Sequence, residues 1–134
     1  AQLSVVGTSA LLQEFLLPRA YEAALYGWDG GPDPDPYPGW HSSQVKEGKN
    51  LADYAGEEAD RLMQQARQTT DPARREELYG AFQQTFLNDM PSVILYYPVY
   101  TYAVRGDVRG LEPGVLFEPS DRFRNIEGWY REDH

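Results

Sequence analysis

The sequence predicts a mixed α/β or α+β fold, a mixed sheet flanked by helices. Short β-prone runs near residues 3–7, 21–28, 92–97 and 99–104 are separated by two amphipathic patterns of helical period near 57–68 and 72–89. A Pro- and Asp-rich stretch over 29–49 follows neither period. With 134 residues the chain is long enough for a single domain that buries about two-thirds of its unfolded surface, and residues 1–134 are read as one domain.

Each element has a local cause. Residues 3–6 (LSVV) are β-prone, Thr8 or Ser9 can cap a helix, and Leu11, Leu12, Phe15 and Leu16 recur at helical spacing until Pro18 forbids continuation. Residues 21–28 (YEAALYGW) form an apolar run of strand length, so the opening reads as a compact βαβ unit whose crossover is right-handed. From 29 to 49 the prolines hold the backbone extended, and a loop of this length inside a domain points to function.

Ala59, Leu62, Met63 and Ala66 then fall at i, i+3, i+4 and i+7, with Glu57, Glu58 and Asp60 in the first turn, where the helix dipole favours anions. Asp71 as N-cap and Pro72 at the first helical position start the second helix, for which Leu78, Tyr79, Phe82, Phe86 and Met90 are the expected buried stripe. Pro91 ends it. Residues 92–97 and 99–104 are broken by Pro98, as a bulge in one long strand or as a tight hairpin, and the sequence is compatible with both. The tail from Arg105 is rich in Gly, Pro and charge and closes with Ile126 and Trp129, which suggest a last short strand or an anchoring aromatic.

Twelve basic against twenty-one acidic residues leave a net charge of −9, which repels phosphate backbones, so nucleic acid is not an expected partner. The absence of cysteine removes disulfides and thiolate chemistry. The longest apolar runs, such as 93–97, reach about a quarter of the roughly 20 residues that a bilayer-spanning helix needs. The chain opens at Ala1 on a strand-like run, with neither a Met start nor a signal peptide, and is expected to be a piece of a longer protein. Ten tyrosines and three tryptophans exceed what a small core needs, so some rings are expected to face a ligand or another domain.

The sharpest candidate site is the run from Gly27 through Trp28, Asp29, Gly31 and Asp33 to Tyr37, directly after a strand. Ligands often sit at strand ends in open α/β sheets, and an indole beside carboxylates suits a solute with an apolar part and a positive charge. On physics alone, a Pro/Asp-rich turn packed by its own aromatics is the commoner outcome. Asp29, Asp33 and Asp35 alternate somewhat like a calcium loop, but the twelfth position from Asp29 is Trp40 where such loops need Glu. His41 with Ser42 and Ser43 raises a hydrolase reading, yet no GxSxG turn occurs and the other histidine is the terminal His134. Catalytic residues, metal ligands and cofactors are accordingly not expected. Tyr96, Tyr97, Tyr100 and Tyr102 cluster on β-prone segments and read either as cross-strand packing or as solute-stacking rings.

Taken in order, YEAALYGW, the Asp/Pro loop, WHSSQ, Asn50, Tyr54, Asp60, Ala66-Arg67, DPARREELY, FQQTFLNDMPSVILYYPVY and Trp129 resemble the C-terminal part of the family 5 extracellular solute-binding proteins, the dipeptide- and oligopeptide-binding group. The resemblance runs from about Leu3 to Trp129. It implies part of one lobe of a two-lobed periplasmic-binding-protein-like fold, cut from a larger parent that closes around solute. It further implies a periplasmic or extracellular location, with a lipid anchor on the parent as one form, and docking to ABC permease subunits. The implied partners are a small peptide or another solute and the N-terminal part of the same parent. By the same resemblance Trp28 matches the family's tryptophan, and Gly31 falls near the Asp that pairs with a peptide amine. Asp29 and Asp33 are then the possible substitutes, and a sugar, opine or nickel complex is the alternative solute. Tyr100 and Tyr102 match the strand that offers a tyrosine to the cleft. The rival from another class is a protein-interaction domain using the tyrosine-rich strands, and the isolated chain is a candidate for self-association.

Overall fold

The computed structural model describes residues 3–28, 31–46 and 48–132. The chain divides into two compact units, Ala1–Trp28 with Asp35–Val93, and Asp29–Pro34 with Ile94–His134.

In the first unit, α1 (Thr8–Ala10) runs into a π-helix over Leu11–Leu16. Its wide turns show as N–H to O bonds from Leu17 to Leu12 (3.0 Å) and from Ala20 to Phe15 (2.9 Å). Pro18, which has no N–H to donate, sits inside this wide turn, and Arg19 follows at φ 59. The Arg19 guanidinium donates to the carbonyls of Leu16 (2.9 Å) and Asn50 (3.0 Å) and to Asp53 Oδ1 (3.2 Å), fastening the helix end to a distant loop.

Two short elements interrupt the Pro-rich stretch, α2 (Tyr37–Trp40) and a 3₁₀ turn over Ser42–Gln44. The core lies between α3 (Glu57–Gln68) and α4 (Pro72–Asp89). Ala59, Leu62, Met63 and Ala66 of α3 bury against Leu78, Phe82 and Phe86 of α4, with Tyr54 closing one end. Each large side chain so buried stabilises the unit by about 1.5–3 kcal/mol. Asp71 caps α4 by accepting the Ala73 N–H at 3.1 Å, and Pro72 occupies the first turn. Met90 ends the helix in the left-handed conformation at φ 49. That leaves its side chain exposed, not in the stripe expected for it, because the stripe's direction is lost where the helix stops.

The second unit holds the one β-ladder among the described residues. There β1 (Val108–Arg109) pairs antiparallel with β2 (Tyr130–Arg131), Val108 opposite Arg131. A Cβ on Gly110 (φ 76) would lie 2.2 Å from the Gly128 carbonyl oxygen, so only glycine allows this close backbone approach. Asn125 fixes the same corner. It donates to the Gly110 carbonyl at 2.9 Å and accepts from the Trp129 indole at 3.0 Å. Asp107 holds both Arg105 (3.0 Å) and Arg131 (2.9 Å).

Residues 3–7, 21–28, 92–97 and 99–104, expected as strands, carry no ladder here. A strand is defined by hydrogen bonds to a neighbour, and β propensity does not supply one. The fold is mixed helix and strand, with the helices complete and the sheet reduced to one short pair.

Candidate functional site

Trp28, at the end of the YEAALYGW run, lies half-exposed (45%) over the buried Gly39 of α2. Its ring centroid is 6.5 Å from that of Trp40. Trp40 meets Phe86 edge-to-face at 4.5 Å, and Phe86 meets Tyr54 at 6.0 Å. An aromatic chain therefore runs from a surface indole into the core, each contact adding about 0.5–1.5 kcal/mol beyond area burial. At its far end the Tyr54 hydroxyl donates to Asp89 at 2.6 Å. Burial first, and the bond to that carboxylate second, push the Tyr54 pKa well above the ordinary tyrosine value.

The loop that carries this seat is pinned from several sides. Asp35 accepts the Tyr37 N–H at 3.1 Å and pairs with Arg67 of α3 at 3.2 Å. The Arg67 guanidinium lies 4.3 Å over the Tyr37 ring, which in turn stacks on His41 at 4.0 Å. His41 is buried, and its Nδ1 accepts the Ser43 N–H at 3.1 Å, capping the Ser42–Gln44 turn. Its Nε2 faces Gln64 at 2.8 Å and Asp60 at 3.9 Å. Asn50, fully buried, donates to the carbonyls of Trp40 (3.2 Å), His41 (3.1 Å) and Tyr54 (2.7 Å) and accepts the Tyr54 N–H. These contacts give His41 and Asp35 structural employment, as a cap and as a clamp. Beside them Ser42, Ala55, Glu57, Asp60, Arg61 and Gln64 line an open depression of about 420 Å³.

The remaining expected site residues fall elsewhere. Asp29 lies outside the described residues. Gly31 (φ 62) and Asp33 belong to the second unit, both exposed. Tyr100 and Tyr102, in the same unit, are brought together by Arg122, which donates to the Tyr100 hydroxyl and lies 5.4 Å over the Tyr102 ring. The guanidinium also rests 4.5 Å from the Phe123 ring, and its Nε is buried without a hydrogen-bond partner among the described residues.

Sequence reasoning singled out neither Gly39, Arg67 nor Arg122 as a site residue. Gly39 stands inside the loop that it did single out, yet a glycine's packing partner is not written in its neighbours. Arg67 enters the family resemblance but otherwise reads as a solvated helix position, and its contacts with Asp35 and the Tyr37 ring are what give it a role in the loop.

No family model matches the chain. The oligopeptide-binding protein AppA of Bacillus subtilis is 32% identical over 127 residues, which are 94% of this chain and 23% of that protein. The di/tripeptide-binding protein 4 of Pseudomonas aeruginosa is 32% identical over 93 residues, covering 67% of this chain and 17% of its own length. A solved structure of AppA in complex with a nonapeptide matches with a TM-score of 0.75 at 31% identity, over 97% of this chain and 25% of the other. The chain thus spans about a quarter of the length of the relatives it matches.

Proposed function

Since this chain corresponds, over nearly its whole length, to a segment of the family 5 extracellular solute-binding proteins, we propose that it forms part of one lobe of a protein that captures peptides outside the cytoplasmic membrane for ABC-importer uptake. The observation that carries this reading is Trp28, an indole left half-exposed against Gly39 and Trp40 of a loop that is clamped by Arg67, Asn50 and the core. A large apolar ring held rigidly at the surface has lost its side-chain entropy before any solute arrives, so it binds at a reduced ordering cost.

Trp28, Tyr100 and Tyr102 are the proposed solute-facing rings. Gly31 stands near the amine-pairing position, so Asp33 or Asp29 supplies the carboxylate for a peptide amine. The net charge of −9 favours such a cationic end. His41 serves the turn as a cap, which favours a binding module over a hydrolase. The permease subunits, the periplasmic or extracellular location and a lipid anchor on the parent belong to the same proposal.

The test is native against denaturing mass spectrometry of the full-length protein after periplasmic expression, followed by calorimetry with peptides. A co-purified peptide, and an affinity that falls about tenfold or more in Trp28→Ala, corresponding to roughly 1.4 kcal/mol, are expected. Absence of any peptide binding by the full-length protein would sink the reading.

A further inference from the structure

We propose that Gly39 is a positioning residue, the seat that fixes the plane of the Trp28 indole. The claim that this matters for solute capture rests on the reading above; the seat itself rests on geometry alone.

A Cβ built on Gly39 would lie 2.8 Å from Trp28 Cη2 and 2.9 Å from Cζ2, closer than side-chain carbons pack. Gly39 is buried although it carries no side chain of its own, because the benzo ring of Trp28 covers it. Its neighbour Trp40 supports the indole at 6.5 Å with a 30° tilt, and is itself held edge-on by Phe86. The indole therefore rests on a bare backbone patch framed by a ring anchored in the core. Gly39 is in a helical turn and not at positive φ, so the left-handed region does not account for the glycine. In such a turn alanine is the better residue, and a glycine there is explained by what lies on it.

Two consequences separate this from a merely structural role. The clashing atoms Cη2 and Cζ2 form the far edge of the indole, which the smaller phenylalanine ring does not have, so Trp28→Phe relieves the clash that Gly39→Ala creates. The sign of the Gly39→Ala effect on melting temperature should then reverse, lowering it in the native background and raising it in Trp28→Phe.

The experiment uses the full-length protein labelled with 5-fluorotryptophan, the Trp28 fluorine resonance being assigned by its loss in Trp28→Phe. Gly39→Ala is expected to shift the Trp28 resonance and open it to a soluble relaxation agent, while the Trp129 resonance stays in place. With a synthetic nonapeptide as probe, Gly39→Ala should weaken binding about tenfold in the native background and leave it unchanged in Trp28→Phe. An unmoved Trp28 resonance, or an equal loss of affinity in both backgrounds, overturns the seat. A native protein that binds no peptide overturns the functional reading instead, and the fluorine resonance and the melting-temperature reversal still decide the seat.

Discussion

Leu78, Phe82 and Phe86 on α4 are buried, whereas Ile94, Leu95, Tyr97 and Val99, a few residues further along, are exposed, Tyr97 by 81% and Val99 by 88%. Composition does not explain the contrast, since both runs are apolar. A helix satisfies its own backbone hydrogen bonds and needs from its surroundings only a second apolar face, which α3 supplies. A β-prone run must borrow both its ladder and its cover. In a chain that spans about a quarter of its relatives' length, the first need is met locally and the second is not. The α3–α4 core of the first unit is closed by its own residues, while the second unit keeps its order through short polar links such as Asp107 to Arg131 and Asn125 to Gly110.

The largest effect that would break this comparison lies at Phe86. Phe86→Ala removes the ring shared by Trp40 and Tyr54 and should cost about 3–5 kcal/mol of the first unit's stability in urea unfolding followed by helical circular dichroism. The Trp129 fluorine resonance of 5-fluorotryptophan-labelled protein, a reporter of the second unit, should keep its own midpoint. Asn50→Ala comes next, at about 2–3 kcal/mol, because three carbonyls and the Tyr54 N–H lose a buried partner together. A single midpoint for both reporters in either variant would show that the units unfold as one.

Tyr54→Phe sharpens the comparison through pH. It removes one hydrogen bond, worth about 1 kcal/mol. Because folding raises the Tyr54 pKa, the folded state keeps its proton after the unfolded chain, which ionises near 10.0, has lost it. The stabilisation from this group is fully present below that pH and drains away as pH rises further. Native protein should therefore lose helical signal on alkaline titration along with the rise of tyrosinate absorbance, and Tyr54→Phe should lose less over the same range.

The same division governs what could be read in advance. Glu57–Gln68 and Pro72–Asp89 are legible because period, Asp71, Pro72 and the first-turn acids are all local. The Trp28 loop was legible as a site candidate, since an indole among prolines and carboxylates is unusual in one stretch. Its construction was not. Arg67 over Tyr37, Asn50 across three carbonyls and Trp28 on Gly39 join residues that no spacing rule connects. Strand propensity at 92–97 and 99–104 was legible too, but propensity is silent on where a ladder's other half lies.

The smallest expected effect is the most direct test of that last point. If the run over 93–99 borrows its cover from parts of a longer chain, Tyr97→Lys in the 134-residue chain alone should change stability by less than about 0.5 kcal/mol, as for any exposed site. It should also reduce self-association seen by sedimentation, since an exposed apolar run is a pairing surface and an edge lysine blunts it. In the full-length protein the same change should cost about 1–3 kcal/mol, the range for burying a charge among packed strands. Equal and large losses in both contexts would mean that Tyr97 already packs within the second unit, and the contrast between a self-sufficient helical unit and a dependent strand unit would fall with it.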